Sequence, residues 1–307
     1  MLRDATAGDP MTGLKWTRKT LRALQRALQR KGFKVGLATT RRLLHKLRYT
    51  LRVNRKRLTR KQEPERDRQM RYLVRLRRRF LKAGKPVISV DTKKRELVGN
   101  FKNAGRTWRR EAIPVLEYDY PSWADGVAIP YGIYDLGANE GFVVIGASHQ
   151  TPEFACAAIR LWWLKVGRFK YGWQDELLIE ADCGNPNSNK SWRWKFGLQQ
   201  LADEFGLRIT VTHLPTGASK WNPVEHRLFS HISTNWAGQP LVSYETVLKF
   251  IRRTKTDTGL RVRAYLDKTF YQTKLKLSAE QKARINLRPR RVLQKWNYTI
   301  EPQPLGS

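Results

Sequence analysis

Apolar positions along the chain fall into two regimes. Between residues 14 and 49 they recur at helical spacing. Leu21, Leu24 and Leu28 define one predicted helix, which Thr17 can cap and Gly32 can close. Leu43, Leu44 and Leu47 define the buried side of a second, starting near Thr39 or Thr40 after the tight connection GFKVGLAT. A third helical pattern, over roughly 66–83, sets Met70, Leu73, Val74, Leu76, Phe80 and Leu81 among arginines. From Pro86 the texture changes to short β-rich runs: VISVD (87–91), VAIPYGIYDL (127–136), GFVVIGAS (141–148), LLIEAD (177–182) and LRITVTHL (207–214). Helices are predicted between and after them. Thr151-Pro152-Glu153 opens one that carries Phe154, Ala158, Leu161 and Trp162. Others cover about 190–205, start at Asn222, and run through SYETVLKFIRRT (243–254). Three strands joined by short connections, then strands alternating with helices, predict an α/β fold: a mixed sheet flanked by helices, preceded by a small all-α region. The expected organisation is a helical region over 1–51, a basic linker and helix over 52–85, the α/β domain over 86–301, and a disordered tail over 302–307. No internal repeat is visible.

The bulk numbers bound this picture. At 307 residues the chain has room for one large or two ordinary domains. Apolar residues make up 40%, with 11 each of Trp, Tyr and Phe, which supports a sizeable core and excludes global disorder. The longest apolar stretches, such as 142–147, are far too short to span a bilayer. MLRDATAGDP has no apolar segment of a secretory signal. Cys156 and Cys183 make no metal-ligand spacing and fit a reducing compartment.

Charge changes the picture most. The net charge is +34, and it is front-loaded: residues 1–85 hold 28 of the 60 Lys and Arg but only 5 of the 26 acids. Such a field implies a polyanionic partner bound with steep salt dependence. The basic residues alternate with core-like apolar positions and do not form one membrane-facing helix, which favours nucleic acid over a membrane surface. The second helix of the N-terminal pair would present Arg41, Arg42, Lys46 and Arg48, as the recognition helix of a helix-turn-helix does. An ordinary helical hairpin with solvated charges stays open as the alternative. Residues 52–68 read as a basic linker or DNA-backbone arm. Arg106, Arg109 and Arg110 around Trp108 form a further DNA-contact patch, with solvated arginines as the plain alternative.

Three acids stand at informative positions. Asp91 ends VISVD and Asp182 ends LLIEAD, and carboxyl ends of strands are where α/β proteins build sites. An acid directly after an apolar run is costly to desolvate unless paired, hydrogen-bonded or bound to metal. The third is Glu225 in Asn222-Pro223-Val224-Glu225. Asn222 and Pro223 predict a helix start, with Glu225 reaching back as in a capping box. At about 100° per residue, however, Val224, Leu228, Phe229, Ile232 and Trp236 share one arc and Glu225 lies within it. The carboxylate therefore faces the strand ends, and cap and catalyst become compatible. Three converging carboxylates suit two divalent cations such as Mg²⁺, the arrangement that serves in-line phosphodiester chemistry. His213 ends a strand before the Glu225 loop. It can reach the scissile phosphate or Glu225, or hold a core-edge carbonyl. Lys220 and Trp221 flank the helix start, where they can bind phosphate and stack on a base, or simply pack.

These stretches resemble a known family. Asp91 in SVDTKKRELVGNFKNAGR, Asp182 in LLIEADCGNPNSN and Glu225 in SKWNPVEHRLFSHISTNWAGQPL are similar to the DDE transposases of bacterial insertion sequences. The nearest group is the Rhodopirellula type, related to the mariner superfamily. AIPYGIYD, the Trp162-Trp163 region, WNYTI (296–300) and the helix-turn-helix region beginning LKWTRKTL extend the resemblance over about residues 12–301. It implies a ribonuclease H-like catalytic domain, whose element order matches the one predicted above. It also implies two Mg²⁺ ions, with Mn²⁺ substituting, held by Asp91, Asp182 and Glu225. The implied chemistry is cleavage and joining of element ends, first with water and then with a DNA 3′-hydroxyl as nucleophile. The implied partners are double-stranded DNA with terminal inverted repeats and a target duplex, in a homodimer or larger synaptic complex, in the cytoplasm at the nucleoid. Two departures stand out. CGNPNSN replaces a glycine-rich turn followed by Ser-Asn, leaving Asn187 as the matching asparagine. The sequence ahead of the helix-turn-helix is also shorter than in relatives, as expected of an N-terminally shortened copy. A non-catalytic DNA-binding descendant and a ribonuclease H-type nuclease without strand transfer are the competing readings.

Overall fold

The structure, a computed structural model, describes residues 6–8, 15–17, 19–51 and 64–304. The chain divides into two compact units, Met1–Arg60 and Lys61–Ser307. Residues 52–63 of the expected basic linker and 305–307 of the expected tail lie outside the described residues.

In the first unit, β1 (Thr6–Gly8) pairs antiparallel with β2 (Lys15–Thr17), and α1 (Leu21–Arg30) and α2 (Leu37–Lys46) follow. Thr17 lies in a strand and does not cap α1. Thr20 does, its Oγ1 accepting the Ala23 N–H at 3.2 Å. The second helix begins earlier than its apolar spacing predicts, because the Gly36 carbonyl receives both the amide and the hydroxyl of Thr40. That start turns Thr40 inward, while Leu43 and Leu47 are 41% and 57% exposed instead of buried.

The second unit begins with α3 (Arg66–Lys82), which buries Gln69, Leu73, Leu76 and Phe80. Strands β3 (Val87–Thr92), β4 (Glu96–Val98), β5 (Gly126–Asp135) and β6 (Glu140–Gly146) come next. Helix α4 (Pro152–Trp162) is capped by Thr151, runs through a π turn at Trp163–Gly167 and ends in α5 (Arg168–Tyr171). Then come β7 (Glu176–Ala181), α6 (Trp192–Phe205) and β8 (Arg208–His213). The helix from Pro223 makes a π turn over Glu225–Phe229 before α7 (Ser230–Asn235). The chain closes with α8 (Tyr244–Arg252), β9 (Arg261–Asp267), α9 (Ala279–Ala283), β10 (Leu287–Pro289) and β11 (Asn297–Ile300).

The sheet order is β10-β11-β8-β7-β3-β5-β6-β9, with β4 paired to β5. On one side of β3 the strands β5 and β6 continue an antiparallel meander; on the other, β7 and β8 run parallel to it. This is the ribonuclease H-like arrangement. Four strands add to those expected: β4, β9, β10 and β11. Strand β9 is half exposed with arginines outward, and β4 and β10 have three residues each, so their apolar signal is weak. The tail is also more ordered than expected at its start, since Gln303 donates to Asp203 Oδ1 and to the Arg284 carbonyl.

Alternation along β3 sorts the two faces. Ile88 and Val90 join the core under α4 and α6, with Phe154, Trp162, Trp194 and Leu198. Val87 packs on the opposite face against Leu76 and Phe80 of α3. Beyond it on that face Val143 and Ile145 meet Val224, Leu228, Ile232, Val247 and Ile251. Among the described residues, no helix is long and apolar enough to cross a membrane.

Candidate active site

Ser89 and Asp91 share the face of Val87. Strands β3 and β7 are parallel with Val90 opposite Ala181, so Asp91 and Asp182 stand side by side at neighbouring strand ends. The third acid arrives from the helix that Pro223 opens. Ser89 Oγ accepts the Val224 N–H at 3.3 Å and donates to Asn222 Oδ1 at 2.9 Å. Asn222 Nδ2 donates to Asp91 Oδ2 at 2.7 Å, and the Thr92 N–H bonds Asp91 Oδ1 at 2.7 Å. The expected capping box is therefore absent. Asn222 is buried, and its side chain locks the helix start to Asp91 while a strand serine caps the helix. The π turn then begins at Glu225 itself, and such wide turns are often found at functional sites.

Two glycines make room. Gly132 lies opposite Asp91 on β5, and a Cβ there would meet the Phe229 ring at 2.3 Å and Val224 at 3.1 Å. The helix carrying Glu225 can approach the sheet because that Cβ is missing. A Cβ on Gly184 would stand 2.5 Å from Asp182 Oδ2.

The electrostatics are those of crowded, desolvated acids. Burial, then the Asp182 charge, pushes Asp91 up to about 8; Glu225 adds to the rise, and the bonds from Thr92 and Asn222 oppose it. Burial raises Asp182, against the Gly184 N–H and the nearby Asn187 amide. Burial also raises Glu225; His226 and Lys93 oppose the rise and Asp182 adds to it. Among the described residues, Asp182 Oδ1 is buried without a hydrogen-bond partner, as are Asn187 Nδ2 and Thr92 Oγ1. The Lys93 ammonium, whose charge acts on Glu225, is 2.6 Å from Glu96 and lies over the Trp236 ring. Among the described residues, no three His, Cys, Asp or Glu side chains are close enough to hold one ion together. The juxtaposition is pairwise: Asp91 has Asp182 on the neighbouring strand and Glu225 on the helix tied to it through Asn222. An all-carboxylate set with an orphaned buried oxygen fits hard divalent cations, which take oxygen ligands and keep several waters.

The family model described as the Rhodopirellula transposase DDE domain matches residues 1–302. The chain belongs to that family. It is a DNA transposase, a polynucleotidyl transferase that uses a divalent metal. No curated protein matches it. Among solved structures, the pre-cleavage Mos1 transpososome is 16% identical, with 79% of this chain and 73% of that chain covered and a TM-score of 0.45. The Mos1 strand transfer complex is 15% identical, with 79% and 72% covered and a TM-score of 0.44. These distant likenesses carry no weight for the site.

In this transposase the other expected residues fall in several places. His213 is fully buried and reaches neither Glu225 nor solvent. Its Nδ1 is 2.8 Å from the Asp182 carbonyl, and its Nε2 is 3.1 Å from the Tyr298 hydroxyl. Only an Nδ1–H tautomer satisfies both, with Tyr298 donating to Nε2 and accepting from Trp194 Nε1 at 3.0 Å. Burial pushes His213 down to about 4. Asn187 is buried and accepts the Tyr131 hydroxyl at 2.8 Å, in the turn that holds the cis Asn185–Pro186 bond. Trp221 is half exposed, with Arg66 and Lys220 over its ring. Arg106, Arg109 and Arg110 are exposed around a fully exposed Trp108, and Arg109 also bonds Thr107 and the Gly238 carbonyl. Arg41, Arg42, Lys46 and Arg48 are exposed on and just after α2 in the first unit. Sequence reasoning missed Ser89, Gly132 and Gly184 entirely, and it read Asn222 only as a cap. A serine two residues before a strand-end acid and a glycine two residues after the proline in AIPYG were the available signals.

Proposed function

We propose that Asp91, Asp182 and Glu225 are the metal-holding catalytic residues with which this transposase cleaves insertion-sequence ends and joins them to target DNA. The observation that carries the reading is the gathering of three partly buried carboxylates from two strand ends and one helix start, with the Asp182 charge raising both Asp91 and Glu225. Two Mg²⁺ ions, or Mn²⁺ in their place, would lie against these side chains and supply Lewis-acid activation of the attacking and leaving oxygens. Asn222 and Ser89 fix where Asp91 and the Glu225 helix sit. His213 stays neutral near pH 7, both ring nitrogens committed, so it holds the Asp182 backbone and carries no proton in the reaction. Lys220 and Trp221 offer a cation and an aromatic face beside the helix start, suited to a strand end.

The region 1–51 is assigned to recognition of terminal inverted repeats, with Arg41, Arg42, Lys46 and Arg48 on the duplex, and 86–301 to catalysis. Arg106, Arg109 and Arg110 are assigned to DNA backbone. Two element ends handled together call for a homodimer or larger synaptic complex, acting in the cytoplasm on chromosomal DNA. The test is incubation with Mg²⁺ or Mn²⁺ and DNA carrying candidate terminal repeats, followed by mapping of nicks and joined products. Nicks at repeat ends plus joined products, both abolished by Asp182→Ala, support the reading. Cleavage without joining supports a nuclease, and specific binding without cleavage supports a DNA-binding descendant.

A further inference from the structure

Helix α3 carries a feature that neither its packing nor the carboxylate site uses. Arg68, Arg71, Arg75, Arg78, Arg79 and Lys82 are all exposed. At about 100° per residue they fall within roughly a 100° arc, on the side away from buried Leu73, Leu76 and Phe80. None of the six side chains makes an ion pair or hydrogen bond among the described residues, and Asp67 is the only acid in the helix. Neighbours three and four apart on this arc are like charges, which destabilises a helix by a few tenths of a kcal/mol per pair. A solvated face designed for stability would interleave glutamates. This face has none, so it is built for an external polyanion.

Its position says where that polyanion runs. Near the start of α3, Arg66 bonds the Gly217 carbonyl and stacks on Trp221, in the loop leading directly to Asn222 and Glu225. From Arg68 to Lys82 the stripe extends about 21 Å along the helix axis. Near its far end, a cavity of about 510 Å³ opens between α3 and the β10–β11 edge, with Arg79, Arg288, Arg290 and Arg291 in its wall beside Glu176 and Glu301. Arg290 is anchored on the Tyr72 hydroxyl, and Arg288 pairs with Glu301, while Arg79 and Arg291 make no ion pair among the described residues.

We propose that the outer face of α3 is a phosphate-backbone track for the DNA duplex flanking the carboxylate site, ending at the arginine cavity beside β10. This rests on the reading of the site as one that processes DNA. Guanidinium groups spaced along a rigid helix suit backbone oxygens and carry no base readout, so the track adds affinity without sequence preference.

The experiment measures binding of the full chain to duplex DNA by fluorescence anisotropy, without divalent metal, across a range of salt concentrations. Arg71→Ala/Arg75→Ala/Arg78→Ala is expected to lower the slope of log affinity against log salt by about 2.7, from about 0.9 per phosphate contact. Its melting temperature is expected to stay level or rise, because like-charge repulsion is relieved. The triple Arg→Lys variant is expected to keep the slope. A wild-type slope in the alanine variant overturns the track while leaving DNA binding intact. An alanine variant that loses affinity only as it loses melting temperature also overturns it. Failure of the wild-type chain to bind duplex at all overturns the DNA reading with it.

Discussion

The crowded carboxylates have a consequence for stability that can be measured without any DNA. Asp91 is pushed from its ordinary 3.8 up to about 8 in the metal-free fold. Between those values the folded protein keeps a proton that the unfolded chain has released. Stability from this group is thus present at low pH and lost as pH rises toward 8. Each pH unit inside the window costs about 1.36 kcal/mol, so the step from pH 5 to pH 7 costs about 2.7 kcal/mol. For a cooperative unit of this size that is about 5–10 °C in melting temperature. His213 works in the opposite sense. Pushed down to about 4 from 6.5, it contributes stability that is lost as pH falls through that range. Both groups titrate in the wild type, whereas Asp91→Asn removes only the first. Thermal unfolding in chelator at pH 5 and pH 7 is therefore run on both proteins. Asp91→Asn is expected to gain about 2.7 kcal/mol on the wild type between the two pH values, whatever its constant offset. A difference between the two proteins that does not change with pH refutes the reasoning, because it removes the charge crowding around Asp91.

Other substitutions probe the supporting structure. Asn222→Ala leaves Asp91 Oδ2 and Ser89 without their partner, and metal-dependent cleavage is expected to fall about 10- to 100-fold, read as initial nicking rate. Gly132→Ala drives a methyl into the Phe229 ring; a loss of about 1–3 kcal/mol in denaturant unfolding is expected, with a matching loss of nicking as the Glu225 helix is displaced. Tyr298→Phe removes the donor to His213 Nε2 and strands the Trp194 N–H, costing about 1–3 kcal/mol of stability while the pH profile of cleavage stays unchanged. A moved pH profile there would give His213 the proton role that its hydrogen bonds deny it.

The sheet and its acids were legible because apolar runs are long in β3, β7 and β8, and an acid closing such a run has few places to go. The edge strands were not. Arg261 and Arg263 make β9 read as surface, and β10 ends in Pro289 after three residues. Asn222 shows a subtler limit. Asn-Pro before a helix is a sound start signal, yet the same amide satisfies Asp91 in the fold, and the local pattern cannot distinguish the two partners. The buried arc of Val224, Leu228, Phe229, Ile232 and Trp236 was readable, but a π turn leaves no mark in spacing. In the first unit, Leu43 and Leu47 fit a helical stripe that the Gly36–Thr40 start rotates outward. His213 needed the positions of Tyr298 and the Asp182 carbonyl, both distant in sequence.

The central claim is that Asp91, Asp182 and Glu225 together hold divalent metal. Anomalous diffraction from crystals of the full chain soaked in Mn²⁺ tests it most directly. Manganese peaks within bonding distance of Asp91, shared with Asp182 on one side and Glu225 on the other, and lost in Asp91→Asn, are the expected result. Manganese bound elsewhere with these three carboxylates bare would contradict it.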